Sequence, residues 1–208
     1  TIKNSDEIVI LKYLQKNLIT IITNDTKDMR KIIEIFEKDF KDILNKNSNI
    51  YKIIYEIFVN MGYEQAICKS KSTLAYKLVE NINIKTCPYC NRNYISIIQK
   101  TNSTSKKTRP QLDHFFPKDK FPFLSCSIYN LIPSCSTCNH MKSNEDSYSD
   151  KLISPYEIND NEFKFTYDLN NLEILNHFNL KELYLDNENS ISIDIETMRT
   201  GKIIEWFP

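Results

Sequence analysis

Glycine is almost missing from this chain, with two in 208 residues, and there is a single tryptophan. With 41% hydrophobic and 12% aromatic side chains, a composition so poor in flexible hinges is that of a folded globular protein and excludes a low-complexity or disordered one. Long apolar runs are lacking too. A bilayer span needs about 20 consecutive apolar residues, and the best candidate, Ile8 to Ile22, is broken by Lys12, Gln15, Lys16 and Asn17. The start of the sequence lacks the basic, apolar, small-residue order of a signal peptide. A reducing cytoplasm is therefore the expected location, without membrane attachment, and there paired cysteines serve as metal ligands more often than as disulfides. Net charge is the last absence: 27 basic residues balance 27 acidic ones.

That balance hides a segregation. Residues 1 to 84 carry 13 basic and 11 acidic side chains, residues 85 to 142 carry 9 and 2, and residues 143 to 208 carry 5 and 14. The middle is thus +7 and the tail −9. Lys100, Lys106, Lys107, Arg109, Lys118, Lys120 and Lys142 make the middle attractive to a polyanion such as nucleic acid. The acidic tail is either a solvated surface or a shield over that basic face.

Apolar residues recur at three and four in the first eighty positions. One run is Ile8, Leu11, Leu14, Leu18, Ile21 and Ile22, a second is Met29, Ile32, Ile33, Phe36, Phe40, Ile43 and Leu44, and a third extends from Ile50 to Met61. Three helices are predicted, with N-caps available at Ser5 and Asn24 to Thr26, a stop at Gly62, and a fourth helix from Thr73 to Glu80. From Cys87 the texture shifts to strands and turns. Asn93 to Ile98 reads as a strand and Gln99 to Thr108 as a polar loop. In the tail Phe163 to Leu169 and Ile191 to Ile195 alternate as strands around a helix near Leu172 to Leu185. The expected division is a helical region over 1–84, a core over 85–150, and an acidic extension over 151–208 that packs on the core.

Two CxxC pairs, Cys87 with Cys90 and Cys135 with Cys138, bracket the middle region. Two residues between thiols let both sulfurs reach one ion, and two such pairs complete the tetrahedral shell of Zn²⁺. A full shell leaves no place for water, so this zinc is expected to be structural. Cys68 and Cys126 fall outside the pairs and read as packing residues. Between the pairs stand Asp113 and His114, and Asn139 follows the last cysteine. A histidine can take a proton from water, and a carboxylate with an amide oxygen suits Mg²⁺. His140 is the rival of Asn139, but neighbours on a helix point about 100° apart, so one of them faces a site. His177 reads as a surface or packing residue.

In this arrangement the chain resembles the HNH endonucleases of the zinc-supported ββα-metal type. Their pattern is CxxC, Asp-His, Asn-Leu, then CxxC followed by His or Asn and a later Lys. Here it stands as Cys87 and Cys90, Asp113-His114, Asn130-Leu131, Cys135 and Cys138 with Asn139, and Lys142. The resemblance spans about 56 residues. It implies an α+β fold with a ββα core stapled by zinc, His114 as general base, Asp113 and Asn139 on a catalytic divalent metal, and Asn130 holding the loop that orients His114. Asn in the third position implies Mg²⁺, with Mn²⁺ as a substitute, and DNA as substrate. Lys106, Lys107, Arg109, Lys118, Lys120 and Lys142 are the expected contacts to nucleic acid.

The wider stretch Leu112 to Lys118, with Phe121 to Leu124 and Tyr129 to Cys135, is similar to HNH proteins of bacterial anti-phage systems, the PtuB-like nucleases that act beside an ATPase in Septu-type defence. This similarity implies a partner ATPase, for which the N-terminal helices are the candidate docking surface. Two other classes fit the same residues: an inactive zinc-stabilised module that binds nucleic acid, and an adaptor that recruits another enzyme.

Overall fold

The computed structural model describes residues 5–69, 73–98, 108–158, 163–169 and 191–197. Helix α1 (Ser5–Thr23) buries Ile10, Leu14 and Ile21, while Ile8 and Leu18 of the expected stripe stay largely exposed. Helix α2 (Thr26–Asp39) starts where the Asp25 carboxylate accepts from the Asp28 amide at 2.9 Å. Its Met29, Ile32, Ile33 and Phe36 are buried at the spacing of one helical face. Helix α3 (Asn49–Ile54), capped by Ser48, runs straight into a π-helix over Tyr55–Cys68.

That continuation corrects the stop expected at Gly62. Among the described residues no glycine has positive φ, so Gly62 does not end a helix by a left-handed turn. Its missing side chain serves a close approach: a Cβ there would stand 2.5 Å from Cys126 Sγ and 3.3 Å from the Ile57 carbonyl. Helix α4 (Leu74–Ile82) does end left-handed, on Asn83 with φ 55°, whose amide donates back to the Val79 carbonyl.

The strand expected over 93–98 is reduced to two isolated bridges, Thr86 with Tyr94 and Ile98 with Thr108. The chain there is occupied in turning around the first cysteine pair, with the Cys87 amide donating to Asn93 O and the Ile95 amide to Lys85 O. Strand β1 (Gln111–His114) pairs antiparallel with β2 (Leu131–Ser134), setting Asp113 opposite Ile132 and His114 opposite Leu131. Helix α5 (Ser136–Lys142) follows β2 directly, with Cys135 as its N-cap. Helices and small two-stranded sheets together make the fold α+β.

Between β1 and β2 the chain packs Phe115, Phe116, Phe121, Phe123 and Leu124 out of all contact with solvent. Phe123 lies 4.3 Å from Phe36 of α2, and Arg30 of α2 reaches over the Phe116 ring to donate to the Leu152 carbonyl. Burying one such ring is worth about 1.5–3 kcal/mol. The larger core therefore runs from α1 and α2 through Cys87, Tyr89 and Cys90 to the aromatic loop, and a second, smaller cluster holds Tyr63, Ala75, Val79, Leu112 and Leu131. Packing does not break at residue 84; the described residues up to 157 belong to one compact unit. A second unit, 158–201, contains β3 (Phe163–Leu169) paired antiparallel with β4 (Ile191–Thr197), Phe165 opposite Ile195. The helix expected near Leu172 to Leu185, His177 within it, and the loop at 99–107 lie outside the described residues.

Candidate metal centre and the adjoining cleft

The four cysteines of the two pairs converge. Their sulfurs all lie within 4.8 Å of one another, and none is in a disulfide. Tetrahedral Zn²⁺ at 2.3 Å from each sulfur wants sulfurs about 3.8 Å apart, so a small contraction closes the shell. Donors already point at the sulfurs: Asn93 Nδ2 to Cys135 at 3.2 Å, the Cys135 amide to Cys87 at 3.4 Å, and the Cys138 amide to Cys135 at 3.4 Å. Burial raises the thiol pKa of Cys135, but the Asn93 amide and the Cys138 backbone amide outweigh it and bring the group down to about 6. Cys138, half-buried and facing the other sulfurs, is pushed up. A dication at the centre supplies the positive charge that four crowded sulfurs lack. The donor set is compatible with a structural zinc site.

β1 runs beside this cluster, and its residues separate. The His114 ring is buried, 4.3 Å from Tyr63 in an edge-on contact, and its Nε2 lies 3.0 Å from the Ser125 carbonyl. A carbonyl only accepts, so Nε2 carries the hydrogen and Nδ1 keeps its lone pair. Burial lowers the His114 pKa to about 3, with the Lys118 and Lys142 cations adding to the effect, so the ring is neutral at pH 7. Asn130 fixes the loop around it. Its Oδ1 accepts from the Phe116 amide at 2.7 Å, and its Nδ2 donates to the Phe116 and Leu124 carbonyls at 3.1 and 3.0 Å. Leu124 directly precedes Ser125, so the Asn130 side chain ties the two turns that carry His114 and its acceptor.

An open cleft of about 370 Å³ lies against this face, lined among others by His114, Asn139, Arg109, Lys118, Gln111 and Glu64. Asn139 Nδ2 donates to Gln111 Oε1 at 2.6 Å. His140 is exposed on α5 and lines a neighbouring depression with Asn139 and Ser136. Lys118 stands 3.6 Å from Glu64, and Arg109 lies over the Tyr76 ring.

Asp113 goes elsewhere. Its carboxylate, 4% exposed, takes the Tyr89 hydroxyl at 2.6 Å and the Lys142 ammonium at 3.2 Å, both on Oδ2. Burial raises its pKa, and Lys142 opposes that rise. Asp113 and Asn139 thus part company: Tyr89 and Lys142 hold the carboxylate inside, while Asn139 lines the cleft. Lys142 is drawn inward too. It is fully buried, with Nζ donating to the His114 carbonyl at 2.7 Å, and offers nothing to a phosphate. Lys120 is engaged by Asp146 and lies beside the Phe121 ring. Lys106 and Lys107 lie outside the described residues. Cys126 packs as expected, its thiol donating to the Phe58 carbonyl.

Sequence reasoning passed over Tyr63, Tyr89, Gln111 and Ser125. Tyr89 had a usable signal, its place between two ligand cysteines. The others carry none, because Tyr63 acts through a ring from a distant helix and Ser125 through its backbone.

Comparison with known proteins gives one short likeness. A stretch of 45 residues is 42% identical to Septu protein PtuB of Bacillus thuringiensis, covering 22% of this chain and 18% of that protein. The matched segment thus takes up less than a fifth of the relative's length. No protein-family model and no solved structure matches the chain. Among the described residues no helix is long and apolar enough to cross a membrane.

Proposed function

We propose that this chain is an HNH-type endonuclease that hydrolyses phosphodiester bonds of DNA. The observation that carries the reading is the hydrogen bond from His114 Nε2 to the Ser125 carbonyl, which leaves Nδ1 as the acceptor beside a cleft flanked by Arg109 and Lys118. A neutral imidazole in one tautomer, held by backbone, presents a fixed lone pair to a water, and the negative charge of a phosphate bound beside it would raise its basicity from the low value that burial gives. Arg109 and Lys118 would hold the phosphate, and Glu64 would release Lys118 to it. Asn130 would keep the base in register with its acceptor. The order β1, β2, α5, with cysteines before β1 and at the start of α5, supports a ββα core stapled by zinc. Because Asp113 is paired with Lys142, no step is assigned to a divalent ion there.

The likeness to a Septu protein supports a role in anti-phage defence beside an ATPase, with the N-terminal helices as the docking surface. A plasmid-cleavage assay tests the activity. Wild type and His114→Ala are compared in Mg²⁺, Mn²⁺ and chelator, with and without an ATPase encoded beside the gene. Cleavage lost in His114→Ala at unchanged zinc content and DNA affinity supports the reading; no cleavage by wild type under any condition removes it.

One observation favours a second reading. The burial of His114 at 7% exposure and the capture of Asp113 by Lys142 suit a zinc-stabilised module that binds nucleic acid without cutting it. That module binds DNA as tightly with His114→Ala as without, and never cleaves.

A further inference from the structure

We infer that Tyr89, Asp113 and Lys142 are positioning residues that carry the geometry of the cysteine cluster to His114. The inference rests on the reading of His114 as the base and explains what holds it in place. Tyr89 sits between Cys87 and Cys90, so its direction is fixed by the first pair. Lys142 ends the helix whose N-cap is Cys135, about two turns from Cys135 and one from Cys138. Both reach Asp113 Oδ2, Tyr89 from its hydroxyl and Lys142 from its ammonium. The same ammonium donates to the His114 carbonyl at 2.7 Å, while the His114 ring is held at Nε2 by Ser125. His114 is therefore gripped twice, at its main chain from the cysteine side and at its ring from the aromatic loop.

The cost of this arrangement argues for a purpose other than stability. A fully buried lysine must be desolvated, and apolar residues of similar volume commonly replace buried ion pairs with no loss of stability. An ion pair gives instead a fixed direction: one ammonium must satisfy a carboxylate and a carbonyl at once, which defines the distance between α5 and β1. When the four sulfurs close on an ion, Tyr89 and α5 are locked relative to each other, and Asp113 with the His114 main chain is locked between them. When the cluster opens, both anchors on Oδ2 slacken together. Asp113 is then a positioning residue, and neighbouring His114 is the group that meets the substrate.

The test uses the full chain with histidine labelled in ¹⁵N, because the two imidazole tautomers have distinct nitrogen shifts. The zinc-loaded wild type is expected to show His114 in the single tautomer with hydrogen on Nε2. Tyr89→Phe keeps the ring and removes one hydrogen bond. It is expected to retain its zinc and its unfolding transition, to give mixed or broadened His114 signals, and to lose on the order of ten- to a hundred-fold in kcat with KM unchanged. Lys142→Met is expected to do the same more strongly, and stripping zinc with a chelator to abolish the single-tautomer signature. Tyr89→Phe that keeps both the wild-type signature and kcat would overturn the proposal, whether or not Lys142→Met folds. So would loss of zinc from Tyr89→Phe, since Tyr89 would then support the cluster itself. If wild type cleaves nothing, the endonuclease reading fails, and the His114 signature still decides the positioning role.

Discussion

Asp113 and His114 are neighbours in one short strand, yet they live in different chemistry. Successive side chains of a strand point to opposite faces. Asp113 turns toward α5 and the cysteines, where Lys142 and Tyr89 answer a buried charge. His114 turns toward the π-helix and the cleft, where Tyr63 shields a neutral ring. One dipeptide thus sends an anchored carboxylate to one face and a neutral imidazole to the other, and a substitution at either position should fail in its own way.

The largest effect should come from the cluster behind Asp113. Cys135→Ser, or chelation of the wild type, is expected to take bound zinc from one ion per chain to none and to unfold β1, β2 and α5 together, since structural zinc supplies on the order of 10 kcal/mol in small motifs. Elemental analysis beside circular dichroism reads both; a variant that stays folded without metal would detach the cluster from the strand. Next comes Asp113→Ala, which strands the Lys142 ammonium in the interior at a cost of about 3–5 kcal/mol. Denaturant unfolding should show it far less stable than His114→Ala, and equal losses at the two positions would erase the contrast between the faces.

How much of this could be read in advance follows the same division. The CxxC spacing, the apolar stripe of α2 and the alternation of Phe163 to Leu169 are local patterns, and the cysteine convergence and the β3–β4 pairing follow from them. Asn130 was legible as the residue that holds the loop, and its three side-chain hydrogen bonds give that expectation geometry. Lys142 was misread because its charge suggested solvent, whereas a buried acceptor pair at Asp113 and the His114 carbonyl drew it inward. Gly62 was misread because a glycine after a helical run has two physical uses, a left-handed turn or a close approach, and sequence does not say which. The packing of α1 and α2 on the aromatic loop escaped notice because no pattern records contacts between residues a hundred positions apart.

The Gly62 approach gives an effect of intermediate size. Gly62→Ala is expected to cost about 1–3 kcal/mol through overpacking against Cys126. Cys126→Ala should relieve most of it in the double variant, and additive losses in thermal unfolding would place the strain elsewhere.

The pH dependence of the His114 side is gentler and has a definite sign. Its folded pKa, about 3, lies below the ordinary 6.5, so the unfolded chain binds the proton more readily. The stabilisation from a neutral His114 is complete above pH 6.5 and declines as pH falls toward 3, by about 1.4 kcal/mol for each unit well below 6.5. Comparing wild type with His114→Gln between pH 7 and 5 isolates this contribution from the cysteines. Parallel curves would mean that the ring is hydrated in solution and that Tyr63 does not shield it.

The wall of the cleft has a consequence for the way this chain can change length. Tyr55–Cys68 is wound with hydrogen bonds spanning five residues instead of four, a register that costs stability and recurs at functional sites. Removing one residue upstream of Tyr63, with the winding kept, would turn every later side chain by roughly the angle of one residue, a little under 100°. Tyr63 would leave the His114 ring, and Glu64 would leave Lys118. Most helices of a globular protein tolerate substitution and resist deletion for reasons of burial; this one would resist deletion because its count of residues sets the aim of a single ring.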